Sequence, residues 1–142
     1  MERLEKINLL LKKETMLEYD KKITSKNDLI DFIIKNEELD IKAEMELWVV
    51  VLDIKNHILG YGKIAQGGTS SAMLDIKNIF KRVFLLNGEK IILIKNNPTG
   101  SSKFSNCDIN VKNKVQEACN ILNIEFLDFI LTEKRYTSLI HE

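Results

Sequence analysis

A chain of 142 residues with 44% hydrophobic content is one globular domain's worth of sequence, long enough to bury a core. Its 21 basic and 21 acidic residues cancel, so the total charge gives no argument for nucleic acid. No apolar run is long enough to cross a bilayer, and Met1-Glu2-Arg3-Leu4-Glu5-Lys6 lacks the apolar core and cleavage site of a signal peptide, which makes cytoplasmic residence without a membrane partner the expectation.

From the N-terminus, Ile7 to Leu11 is a short apolar run among lysines and acids and reads as an edge or leading strand. Ser25-Lys26-Asn27-Asp28 is a helix start, and Leu29, Ile30, Phe32 and Ile33 give a helical stripe to about Asn36 that should lie on a sheet. Acidic Glu37-Glu38-Leu39-Asp40 reads as a solvated connection, so residues 1–40 form an N-terminal strand-and-helix extension to a domain at 41–142. Glu46 to Asp53 and Ile58 to Ala65 are two strands joined by a tight hairpin at Ile54-Lys55-Asn56-His57, and Gly67-Gly68-Thr69 ends the second. Asp75 caps a helix marked by Ile76, Ile79, Phe80, Val83 and Phe84, with Phe80 and Phe84 expected in the core and Asn87-Gly88 as terminator.

Ile91 to Ile94 are continuous aliphatic residues, a buried strand that the turn cluster Asn97-Pro98-Thr99-Gly100 must end. Ser105-Asn106-Cys107-Asp108 has the Ser-x-x-acid spacing of a capping box, which starts a helix marked by Val111, Val115, Ala118 and Leu122. Asn123 can take the left-handed position that stops it. Ile124 to Leu131 is the next strand, and Lys134-Arg135-Tyr136 turns into a last short one. The class is α/β or α+β, a mixed sheet with helices against it.

Strand, loop and capped helix enclose a polar pocket between Lys95 and Asp108. This stretch resembles the JAMM (MPN/JAB) metalloprotease motif, and in detail the RadC family, whose signature is His-Asn-His-Pro-Ser-Gly followed by Ser-x-x-Asp. Here Lys95-Asn96-Asn97-Pro98-Thr99-Gly100 and then Ser105-Asn106-Cys107-Asp108 keep the frame, with Lys95 and Asn97 in the histidine positions. Glu46-Leu47-Trp48-Val49-Val50-Val51-Leu52-Asp53 looks like the family strand that opens with the catalytic glutamate, which makes Glu46 the matching position. Gly67-Gly68-Thr69-Ser70-Ser71 resembles Gly-Thr-Leu-Asn-Ser, and Leu122 to Ile130 resembles Leu-Gly-Ile-x-Leu-Leu-Asp-His-Ile. Tyr136-Thr137-Ser138-Leu139 stands for the closing Tyr-Phe-Ser-Leu. Asp75 and Phe129 also stand where the family has histidine.

The resemblance covers about residues 41–142 and implies a cytidine-deaminase-like, JAMM-type mixed sheet flanked by helices, in a short stand-alone form. It also implies a zinc peptidase whose catalytic positions would be Glu46 and Ser105, with Asp108 a retained metal-ligand position and Lys95, Asn97, Thr99 and Asp108 lining a binding site.

The donor chemistry points away from zinc. A hydrolytic zinc needs three protein ligands and an open position. A lysine of ordinary pKa, about 10.4, is protonated at neutral pH and cannot ligate, and an amide oxygen such as that of Asn97 replaces imidazole poorly. Cys107, one residue before Asp108, points about 100° away from it on a helix. No cofactor is expected, and zinc only if the family activity is kept. With a dication gone, Lys95 can neutralise part of the carboxylate charge of Glu46 and Asp108. The competing reading is an exposed strand-end lysine, and for Ser105 and Asp108 a plain capping box.

The remaining groups say less. His57 in a hairpin and His141 near the C-terminus read as exposed bystanders. Cys107 and Cys119 lie 12 residues apart on one helix, roughly 18 Å, and read as reduced packing residues. Between Ile76 and Lys114, Lys77, Lys81, Arg82, Lys90, Lys95, Lys103, Lys112 and Lys114 face only Glu89 and Asp108, an excess of six positive charges. Three functions follow: a catalytically inactive binding or scaffold module with a protein or peptide partner, a homodimer included; a metal-dependent peptidase or isopeptidase; or a DNA-associated accessory acting through the basic 76–114 segment.

Overall fold

The computed structural model describes residues 3, 26–39, 41–67, 75–98, 104–132 and 136–138. Its elements are α1 (Lys26–Glu37), β1 (Glu46–Leu52), β2 (Ile58–Gln66), α2 (Ile76–Leu85), β3 (Lys90–Asn96), α3 (Asn106–Leu122), β4 (Glu125–Thr132) and β5 (Tyr136–Ser138). The sheet order is β2-β1-β3-β4-β5. β1 is antiparallel to β2 and β3, β3 is parallel to β4, and β5 returns antiparallel on β4. A parallel pair needs a crossover, and α3 supplies it between β3 and β4.

Both faces of the sheet are covered, which is why β1 and β3 read as unbroken apolar runs. On one face Leu47, Val49, Val51, Ile91, Leu93 and Phe129 meet Ile79, Phe80 and Val83 of α2 and Val111, Val115 and Cys119 of α3. On the other, Trp48, Val50, Leu52, Ile92, Ile94 and Ile130 meet Ile30, Ile33 and Ile34 of α1. The alternation is strict from Leu47 to Leu52, so the face each residue serves is fixed by its parity.

The turn chemistry supports the strand ends. Asp53 Oδ1 accepts from the backbone N–H of Lys55 at 2.8 Å and of His57 at 2.9 Å, closing the hairpin with Asn56 at φ 66°. Asn87 at φ 54° and Gly88 end α2, and a Cβ on Gly88 would stand 2.2 Å from Val51 Cγ1. Asn123, at φ 56°, stops α3 in the left-handed conformation expected of it.

Several details differ from the sequence reading. Leu39, placed in a solvated connection, is 1% exposed and closes the core under α1. Phe84, expected in the core, is 51% exposed beside buried Phe80. The buried stripe of α1 is Ile30, Ile33 and Ile34, with Phe32 only partly buried. α1, within the stretch read as an N-terminal extension, lies on the sheet as its helical stripe led one to expect. Ile7–Leu11, Ser25, the Gly68–Ser71 segment, Thr99 and His141, like the side chain of Leu29, lie outside the described residues.

Candidate functional site

The site forms where β3 runs out and α3 begins. Ile91 and Leu93 put the odd-numbered residues of β3 on the α2–α3 face, and Lys95 follows them at the strand end, opposite Leu47. Ser105, with extended φ and ψ of −82° and 168°, caps α3. Its Oγ accepts from the Asp108 N–H at 3.2 Å, and Asp108 Oδ2 accepts from the Ser105 N–H at 2.8 Å, a complete capping box. The other carboxylate oxygen, Oδ1, accepts from Lys95 Nζ at 2.6 Å.

Burial decides what this contact is worth. The side chains of Lys95 and Asp108 are 19% and 7% exposed, so the pair lies largely out of water, unlike an exposed strand-end lysine. The helix N-terminus adds favourable potential to the carboxylate. Both of its oxygens are engaged, one by an ammonium and one by a backbone N–H.

Glu46 takes a different direction. Its side chain shares the α1 face with Trp48, and Oε1 accepts from the Trp48 Nε1–H at 3.1 Å, with the residue 4% exposed. Lys95 and Asp108 come together on one face of the sheet and Glu46 is turned to the other. At the same end of β1, Met45 is partly buried and packs against the α2–α3 core.

Asn96, 2% exposed, is the residue that the sequence reading missed. Its Oδ1 accepts from the Glu46 N–H and its Nδ2 donates to the Glu44 carbonyl at 3.0 Å, so its side chain clamps the start of β1 to the end of β3. The signal was present: an asparagine at the end of an otherwise apolar buried strand must find backbone partners.

The other candidate positions have local roles. Asn97 donates its backbone N–H to the Thr132 carbonyl at 3.2 Å and is half-buried. Asp75 caps α2, its Oδ1 accepting from the Lys77 N–H at 3.0 Å. Phe129 meets Phe104 edge-on at 5.5 Å. His57 is exposed and lies 3.2 Å from Asp53 Oδ2. Burial pushes the Cys119 thiol up to about 12, and Cys107 is half-buried. Among the described residues, no three His, Cys, Asp or Glu side chains converge as a metal-ligand set. Of the basic segment, Lys90 pairs with Glu125 at 3.4 Å, Lys95 with Asp108, and Arg82 donates to the Asn78 carbonyl at 2.7 Å. These three are held in structural contacts.

Fold and site together define a mixed α/β domain whose polar site sits between the end of a central strand and the capped N-terminus of the crossover helix. A family model described as a RadC-like JAB domain matches residues 23–142. The chain belongs to that family, and the match takes in α1. It is similar to a UPF0758 protein of Coprothermobacter proteolyticus, 30% identical over 124 residues that cover 85% of this chain and 53% of the relative. A UPF0758 protein of Desulfitobacterium hafniense is 33% identical over 118 residues, covering 82% and 51%. One from Flavobacterium johnsoniae is 30% identical over 123 residues, covering 86% and 53%. The chain spans about half the length of the curated relatives it matches. No helix among the described residues is long and apolar enough to cross a membrane.

Proposed function

We propose that this RadC-like JAB domain is a binding or scaffold module rather than a hydrolase, with the Lys95 ammonium standing where the family places a zinc ion. One observation carries the reading: the 2.6 Å contact between Lys95 Nζ and Asp108 Oδ1, largely withdrawn from water. The donor set does not fit a hydrolytic zinc. Such an ion needs three protein ligands and an open position. Lys95 engaged with a carboxylate has no lone pair to give, Asn97 contributes an amide, and the second oxygen of Asp108 is already committed to the Ser105 N–H. The fixed charge offsets the carboxylate without presenting an acidic water, so the site can hold a shape but not activate a nucleophile. The ligand class that suits it is a protein or peptide partner, a second copy of the chain included.

The test is metal analysis of protein purified without added metal, paired with a peptide and isopeptide cleavage assay. The reading expects substoichiometric zinc and no metal-dependent cleavage. One zinc per chain that disappears in Asp108→Ala would restore the peptidase reading. Retention on DNA that weakens steeply with salt would support the accessory reading instead.

A further inference from the structure

We infer that the residue at the start of β1 facing the Lys95–Asp108 site is Met45, and that Glu46 is a structural carboxylate of the opposite face, so the proton-accepting group is missing from the site along with the two histidine ligands. This goes beyond the proposal above and rests on it only in taking the site to be the one at Lys95 and Asp108.

Strand parity is the first support. β1 and β3 are paired without irregularity from Leu47↔Lys95 to Leu52↔Lys90, six successive pairs. Residues directly opposite one another project to the same face, so Lys95 shares a face with Leu47 and the α2–α3 core. Met45, two residues before Leu47, packs against that same core, whereas Glu46 lies between them and its carboxylate bonds Trp48 of the other core. The chain still tracks along the sheet at Met45, because its carbonyl accepts the Gly67 N–H at 2.8 Å.

The second support is the carboxylate's own partner. Glu46 Oε1 accepts from the indole N–H of Trp48, the neighbouring residue of its own parity, and Trp48 belongs to the core under α1. Turning Glu46 toward Lys95 would need a one-residue slip of β1, which would carry every apolar side chain of the strand to the wrong face. The Asn96 side chain opposes such a slip by holding the Glu46 N–H and the Glu44 carbonyl. The side chain that does face the site is a thioether, a weak acceptor that takes no proton at neutral pH.

Trp48 makes this testable, because it is the only tryptophan in the chain and its indole N–H gives one resolved signal in a proton–nitrogen spectrum. In the protein as it stands, Glu46→Gln should move that signal and Lys95→Met should leave it in place, since the two act on opposite faces. A shift with Lys95→Met as large as that with Glu46→Gln would overturn the inference. A second arm rebuilds the metal ligands with Lys95→His and Asn97→His and adds zinc. The Trp48 signal should stay in place on loading, and hydrolysis of p-nitrophenyl acetate by the loaded protein should rise at least ~100-fold with Met45→Glu, the low end of general-base contributions. A Trp48 signal that moves on zinc loading, or a rate that falls with Glu46→Gln and ignores Met45→Glu, would overturn it. Zinc bound by the unaltered protein would sink the preceding proposal while leaving the first arm intact.

Discussion

Removing the ammonium of Lys95 is the perturbation that the site geometry constrains best. In Lys95→Met the carboxylate of Asp108, 7% exposed, keeps its bond to the Ser105 N–H but loses the partner of Oδ1 at 2.6 Å. A hydrogen bond to a charged group contributes about 1.5–3 kcal/mol, and stranding one member of a buried pair costs about 3–5 kcal/mol. The remaining access of water to Lys95, 19% exposed, and the surviving capping bond put the expected loss at about 2–3 kcal/mol. Asp108→Asn keeps an acceptor for the Ser105 N–H, so the double variant Lys95→Met with Asp108→Asn should recover part of the loss. The coupling from the cycle should be about 2 kcal/mol. Urea unfolding followed by Trp48 fluorescence measures it; with a slope of about 2 kcal/mol per molar, the Lys95→Met midpoint falls by about 1–1.5 M. A coupling below about 0.5 kcal/mol, the level of an exposed pair, would refute the reasoning.

Asn96→Ala should cost about 2–3 kcal/mol by leaving the Glu46 N–H and the Glu44 carbonyl without their partner, and hydrogen exchange at the Glu46 amide should speed up far more than at Val50. Gly88→Ala should destabilise by about 1–3 kcal/mol, since its Cβ would stand 2.2 Å from Val51 Cγ1, and a thermal melt unchanged from the parent would contradict the packing. The Tyr61 hydroxyl is pushed up from 10.0 to about 12, chiefly by burial and then by its bond to Glu37. The folded state thus holds this proton more tightly, and the associated stability is complete below pH 10 and lost as pH rises from 10 through about 12. Tyr61→Phe should flatten the alkaline fall of stability in that window. A thiol reagent at neutral pH should modify half-buried Cys107 quickly and Cys119 only on unfolding, and equal rates would contradict the packing of α3.

Much of the architecture was legible because its signals are local. Apolar runs bounded by turn residues marked β1 to β4, Asp75 and Ser105 announced α2 and α3 by their capping chemistry, and Asn123 marked the end of α3. The residues left open whether Lys95 neutralises Glu46 and Asp108 or is an exposed strand-end lysine, and its 2.6 Å contact is with Asp108 alone of the two acids. What was not legible depends on faces. A strand buried on both sides has no apolar–polar alternation, so the resemblance alone put Glu46 at the site, and its face is told only by the Trp48 bond and by Met45 packing on the α2–α3 core. The same lack of contrast hid the clamp made by Asn96. Leu39 and Phe84 exchanged their expected environments because burial at a helix end depends on what lies across from it, which residue spacing does not record.

The most direct test of an ammonium in the place of a metal is diffraction from crystals grown with excess zinc, with anomalous maps collected at the zinc edge. The account predicts no anomalous peak in contact with Asp108 and Lys95 Nζ still at salt-bridge distance from Oδ1. A fully occupied zinc bound to the Asp108 carboxylate, with the lysine swung aside, would contradict it.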